Sequence, residues 1–208
     1  MRPSAILVWG ALTLFLGGVV VVSLMSPFLA FRQPVYIAAG LAGILGLCVM
    51  VLQPLLVTGS LPGAEGRHGR RLHFIVGVGL VALVIAHVGG LWLTSPPDVI
   101  DALTFTSPTP FAPFGVVAMW AVLLAALLGM LRKRVGSGLR VWRRTHSGLV
   151  AIAVLGTVIH AIHYRSYENG NRHSRRTRRN SESSPRHSWC ADRRQGPAGR
   201  VGMSVAAC

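Results

Sequence analysis

The chain has 208 residues, of which 51% are hydrophobic and only 13% are charged. A soluble domain carries about a quarter charged residues, so the composition excludes an ordinary water-soluble globular protein. The formal net charge of +15 would suggest nucleic-acid binding in a soluble protein. Here the charge lies in short clusters between long uncharged runs, and we therefore expect an integral membrane protein.

Five apolar segments follow one another along the chain, and each approaches the ~20 residues that span a bilayer as a helix. The first is longer than the apolar region of a signal peptide and has no small-residue cleavage motif, so we interpret it as a retained helix. Between the third and fourth segments, prolines with Asp98 and Asp101 predict an outer cap containing a short amphipathic turn around 98–105. The pattern predicts an all-α integral membrane protein whose residues 1–164 form a five-helix transmembrane bundle, with segments at 5–25, 35–57, 72–94, 112–131 and 146–164.

Basic residues are distributed unevenly between the two predicted sides of the membrane. Arg2 and the two basic loops, one before the third segment and one before the fifth, hold ten Lys and Arg residues, whereas the opposite side has only Arg32. By the positive-inside rule we expect a multi-pass protein of the cell membrane with a cytoplasmic N-terminus.

The C-terminal region, residues 165–208, differs in character from the rest. It holds ten arginines against three acidic residues and no apolar run, a composition that predicts a disordered tail. Five spans would place this basic tail on the outer side, against the charge rule. We therefore hypothesise that it is an aberrant end, produced by a frame shift or by degeneration. Cys48, Cys190 and Cys208 show no metal-binding or disulfide spacing.

Two copies of a histidine pattern lie in the third and fifth segments. Arg70-Arg71-Leu72-His73 is followed by His87, and Arg143-Arg144-Thr145-His146 is followed by His160. Each pair is 14 residues apart, which on a helix is about 3.9 turns, so both rings share a face with roughly 21 Å between them. Because both segments cross in the same direction, His73 is expected level with His146 and His87 level with His160.

Four imidazoles in two facing pairs are a template for two stacked haems, because two axial imidazoles make a six-coordinate iron suited to electron transfer. Read singly, a histidine near a helix end could be an interfacial polar residue. The repeated pattern favours iron ligands, and we predict His73, His87, His146 and His160 in that role.

Two further groups of residues accompany the histidines. Small residues could leave room for a porphyrin or could allow close helix packing; these are Gly77, Gly79, Ala86, Gly89, Gly90, Gly148 and Gly156. Arginines could bind the haem propionates or could simply mark the cytoplasmic side; these are Arg70, Arg71, Arg143 and Arg144.

Several segments resemble the ferric reductase-like transmembrane domain, a family that includes ferric reductases, NADPH oxidases and the haem-bearing subunit of the bacterial methionine sulfoxide reductase system. The resemblance covers residues 1–163 and rests on Arg71-Leu72-His73, Ala86-His87-Val88, residues 91–98, Thr145-His146 and Val158-Ile159-His160-Ala161. It implies two b-type haems held by paired histidines. That family typically has six helices; here a basic tail stands where the sixth is expected, and we find no flavin or nicotinamide domain.

The resemblance implies transmembrane electron transfer, as the membrane part of an oxidoreductase. Its donor would be a cytoplasmic reductase, a flavin or a quinol, and its outer acceptor ferric iron, oxygen or a periplasmic protein. The alternative is a haem-free or degenerate membrane protein with a structural role. A third reading makes the basic tail a binder of anionic lipid or nucleic acid, but its predicted side argues against nucleic acid. No paired acids or nucleotide-binding loop occur, so we assign no catalytic residue.

Overall fold

The computed structural model describes residues 3–26, 29, 32–134 and 138–182. The elements in this part of the chain are all helical: α1 Pro3–Leu24, α2 Pro34–Thr58, α3 Gly66–Thr94, α4 Pro96–Leu103, α5 Ala112–Met130 and α6 Leu139–Glu182, with a 3-10 turn at Leu131–Lys133. Every α-helix except α4 contains a stretch long and apolar enough to cross a membrane. The predicted all-α fold with five membrane-spanning helices is therefore confirmed.

A proline and a glycine mark the two ends of α2. Pro34 lies in the first turn of α2, where its missing N–H would have no helical partner in any case. At the other end of α2, Gly59 has φ +71° and its N–H bonds the Leu55 carbonyl, the left-handed cap that glycine adopts without a steric penalty. The short connection over residues 59–65 then turns the chain back, so that α3 packs against α2.

The predicted outer cap contains the short helix α4. Asp98 lies in its first turn, where a carboxylate complements the positive end of the helix dipole. Ser95 donates a hydrogen bond to Asp98 Oδ2 at 2.5 Å, and Val99 is buried. The helix therefore fixes the connection between α3 and α5.

The sequence predicted that the basic clusters lie in loops. In the structure they lie mainly within helices. Arg67, Arg70 and Arg71 occupy the first two turns of α3, and Arg143 and Arg144 the beginning of α6. Arginine is a good helix former, and its long stem lets the guanidinium reach water from a helix end. Both helices therefore begin several residues before their apolar runs.

Helix α6 also continues beyond its predicted end. Residues 165–182 are helical, where composition had predicted a disordered tail. Once a helix is nucleated, each added residue gains a hydrogen bond without a new nucleation cost, so even a polar sequence can extend it. The rest of the predicted tail, 183–208, lies outside the described residues. By internal contacts the chain divides into Met1–Tyr164 and Arg165–Cys208.

Small residues form the helix contacts within the first of these units. Leu80 of α3 packs with Ala121 and Val122 of α5 and with Ala153 of α6. Such short side chains let helices approach closely where lipid supplies no hydrophobic driving force. Large apolar side chains instead point outward, as at Leu14, which is 80% exposed. This distribution is typical of helices that face lipid.

We predict that Gly69→Ala destabilises the α2–α3 hairpin. Gly69 is buried at the start of α3, and an added Cβ would clash with the carbonyl oxygens of Ala64 and Leu56. Both obstacles are main-chain atoms, so the hairpin must shift, at a cost of about 1–3 kcal/mol. Thermal unfolding in detergent should show a lower Tm. Gly10→Ala is the control because its Cβ meets nothing within 4 Å in the part of the chain that the structure describes; equal Tm values for both variants would contradict the prediction.

Candidate functional site

The four predicted histidines lie in two pairs between α3 and α6. His73 and His146 form the first tier, with ring centroids 6.4 Å apart and ring planes at 74°. His87 and His160 lie one 14-residue interval further along the same two helices and form the second tier. The level pairing expected from two helices of the same direction is seen directly for His73 and His146.

Both rings of the second tier are oriented by main-chain carbonyls. His87 Nδ1 lies 2.8 Å from the Ala39 carbonyl oxygen of α2, and His160 Nδ1 lies 2.8 Å from that of Phe111, just before α5. A carbonyl only accepts, so Nδ1 carries the proton and Nε2 keeps its lone pair. Metal-ligating histidines are commonly fixed in this way.

Two glycines create the space for these rings. A Cβ added at Gly43 would lie 2.9 Å from His87 Nδ1, and one added at Gly115 would lie 2.7 Å from His160 Nδ1. Each glycine stands four residues after the carbonyl that the ring meets, so it lies one helical turn further along the same face. Sequence reasoning missed both glycines, which lie in or beside apolar runs with no polar signal.

The first tier is supported differently. His73 Nδ1 lies 3.3 Å from the Gln53 carbonyl oxygen. Among the described residues His146 Nδ1 is buried without a hydrogen-bond partner, although the Ala125 carbonyl of α5 lies nearby. The two rings therefore lack the short carbonyl bonds of the second tier.

Stacking orients His146 instead. The Trp142 ring lies parallel to it, with centroids 5.2 Å apart and planes at 9°. Trp142 Nε1 donates to the Leu128 carbonyl at 3.1 Å, and the Arg132 guanidinium sits 4.7 Å over the indole. His146 thus belongs to a layered arrangement of cation, indole and imidazole.

The supporting carbonyls repeat with the same spacing as the histidines. Positions 39 and 53 of α2 are 14 residues apart, as are positions 111 and 125 at α5. In the α2–α3 hairpin, His87 faces 39 and His73 faces 53; in the α5–α6 hairpin, His160 faces 111 and His146 faces 125. Each tier therefore receives one ring from each of two hairpins with equivalent register.

The small residues near the histidines divide into two groups. Added Cβ atoms at Gly79, Gly89 and Gly148 meet nothing within 4 Å among the described residues, whereas those at Gly90 and Gly156 would press on neighbouring helices. Gly89 also lines an apolar crevice of about 210 Å³ between α3 and α5. The first group has no close neighbour and the second lies in helix contacts, so close packing is seen at Gly90 and Gly156, while room for a porphyrin stays a prediction. Ala86 is exposed, and Gly77 lies beside the Gln53 amide.

The four predicted arginines lie at the same end of α3 and α6 as the first tier. All four are exposed: Arg70, Arg71, Arg143 and Arg144. Their position leaves the guanidinium groups available to an anionic ligand, and propionate binding stays a prediction.

The other membrane histidine, His163, stands apart from both tiers. It is exposed, its Nδ1 bonds the Ile159 carbonyl of its own helix at 2.9 Å, and it stacks on Phe114. Within the described residues, no cluster of three or more His, Cys, Asp or Glu side chains is placed to hold a metal ion.

Comparisons with protein-family models, curated proteins and solved structures find no match for this chain. The functional interpretation therefore depends on the residue pattern and on the geometry of the two tiers.

We predict that thiols at level positions can be bridged and that thiols at diagonal positions cannot. In a variant lacking the three native cysteines, His73→Cys with His146→Cys should be joined by a short bifunctional thiol reagent, because their parent rings are 6.4 Å apart. His73→Cys with His160→Cys is the control, since one 14-residue interval separates these positions by roughly 21 Å along the helices. Cleavage between α3 and α6 followed by electrophoresis detects the bridge. Equal bridging of both pairs would contradict the pairing.

Proposed function

We propose that the chain transfers electrons across the cell membrane through two b-type haems, as the membrane part of a ferric reductase-like oxidoreductase. His73 with His146 would hold one haem, and His87 with His160 the other. The observation that carries the proposal is the second tier, where both Nδ1 atoms meet a carbonyl at 2.8 Å. Both Nε2 lone pairs are then free, which is the state an imidazole needs in order to bind a metal.

The dimensions of the first tier also fit haem. Imidazole nitrogens bind metals at about 2 Å, so His73 and His146, whose ring centroids lie 6.4 Å apart, are close enough that they could hold one metal between them. Near the second tier, Gly89 lines an apolar crevice between α3 and α5 that suits an apolar ligand.

When bound between two imidazoles, haem supplies reversible one-electron chemistry and has no open position for oxygen. The protein contributes orientation and exclusion of water. Ala39 and Phe111 hold the second-tier rings through their carbonyls, and Trp142 holds His146 by stacking. Arg70, Arg71, Arg143 and Arg144 would bind the propionates at the basic end.

The charge distribution sets the proposed direction of transfer. With a cytoplasmic N-terminus, the basic end and the first tier face the cytoplasm, where the donor would be a reductase, a flavin or a quinol. The second tier faces the outer side, where ferric iron, oxygen or a periplasmic protein would accept the electrons. The large exposed apolar side chains of the helices would contact membrane lipid.

We predict that purified protein carries two haems per chain and that His87→Ala carries one. Removing His87 would delete one of the two residues that hold the second haem in this proposal and would leave the first tier complete. The haem-to-protein ratio and the reduced absorption spectrum measure this.

His163→Ala is the matched control, because His163 bonds its own helix and should keep both haems. Well-inserted wild-type protein without any haem would contradict the proposed function and favour a haem-free structural role.

We predict that reporter fusions will place the connection between α2 and α3 in the cytoplasm. A fusion after Ala64 should give a cytoplasmic signal and a fusion after Thr106 an external one, because Arg67, Arg70 and Arg71 follow the former position and residues 95–111 contain no Lys or Arg. A paired phosphatase and fluorescent-protein reporter distinguishes the sides. The reverse pattern would reverse the proposed direction of electron flow.

A further inference from the structure

Gln53 places a buried amide beside the first tier. It lies within an apolar stretch of the α2 sequence and is only 8% exposed. Its amide reaches the His73 ring, the His73 carbonyl and the Gly77 N–H of α3. A polar side chain buried in a membrane helix is costly and commonly has a function.

The main chain of α3 determines which way this amide points. With its nitrogen toward His73, the amide donates to the His73 carbonyl at 3.3 Å, and its oxygen accepts from Gly77 N–H at 2.8 Å. The opposite orientation would set oxygen against oxygen and N–H against N–H. Since a carbonyl only accepts and an N–H only donates, α3 selects the first orientation.

This orientation fixes the proton on His73. The Gln53 amide nitrogen then lies 2.5 Å from His73 Nδ1, so Nδ1 must accept and the ring proton must be on Nε2. The Gln53 carbonyl, at 3.3 Å from Nδ1, is too distant to compete well. His87 and His160 have the opposite tautomer, with the proton on Nδ1.

We propose that Gln53 is a positioning residue that holds His73 as the Nε2–H tautomer and thereby makes the first tier the weaker iron site. The second half of this inference rests on the proposed haem function. To bind iron through Nε2, His73 must carry its proton on Nδ1, and the Gln53 amide must turn against the α3 main chain. Ala125, at the equivalent position of α5, offers no such amide, and His146 Nδ1 has no hydrogen-bond partner.

The tautomer can be tested without haem. Full-length protein made under haem limitation, with isotope-labelled histidine and in lipid nanodiscs, gives ring-nitrogen NMR signals that single His→Gln variants assign. We expect Nε2–H at His73 and Nδ1–H at His87 and His160. Gln53→Leu should convert His73 to Nδ1–H, since the residue-53 carbonyl remains as acceptor; Gln53→Met serves if the leucine variant does not fold. Nδ1–H at His73 in the wild type, or no change in the variant, would overturn the proposal.

The strength of the tier is tested separately in single-haem backgrounds. His87→Ala leaves only the first tier, and His73→Ala leaves only the second. Gln53→Leu should slow haem loss to excess apomyoglobin about tenfold in the first background, the usual scale of outer-shell effects, and should leave the second unchanged. Faster loss in the first background, or an equal change in both, would overturn the weaker-tier inference. Absence of haem from every variant would instead refute the proposed function, while the NMR result still decides the tautomer.

Discussion

The hydrogen bond between a histidine ring and a main-chain carbonyl of the neighbouring helix is the interaction on which the arrangement depends. At His87 and His160 it measures 2.8 Å and joins the two helices of each hairpin. It satisfies one ring nitrogen inside an apolar environment, where an unpaired polar atom is costly, and it turns the other nitrogen away from the hairpin. Helix packing and the chemical state of the ring are therefore set together.

That bond requires two helices to approach closely, and this requirement explains the small residues around it. Gly43 and Gly115 admit the rings, and small residues make up most of the buried positions of α2 and α5. In lipid, such close packing replaces the hydrophobic driving force that is missing between apolar helices. The 14-residue spacing of histidines and facing carbonyls extends through both tiers. The tiers differ because the short histidine–carbonyl hydrogen bonds occur only in the second.

Sequence reasoning predicted the five spanning helices and the level position of His73 with His146. Hydropathy and a 14-residue spacing can both be read directly from the order of residues along the chain. Sequence reasoning could not recover the supporting carbonyls, since every residue has one and only the packing decides which are used. Gln53 was overlooked although a lone amide in an apolar run is a usable signal. The extension of α6 to Glu182 was missed because composition does not show that a helix is already nucleated upstream.

The use of carbonyls as ring supports bears on how such a protein can change over evolutionary time. Ala39 and Phe111 differ in size and shape, yet each supplies the same oxygen. No point mutation deletes a peptide carbonyl, so substitutions at these two places act only through packing, since Ala39 is buried and the Phe111 ring contacts the His160 ring. The packing is most sensitive at the two facing glycines, where any replacement adds an atom beside a ring. Substitution therefore cannot remove the two hydrogen-bond acceptors. It can remove only the space that the rings occupy.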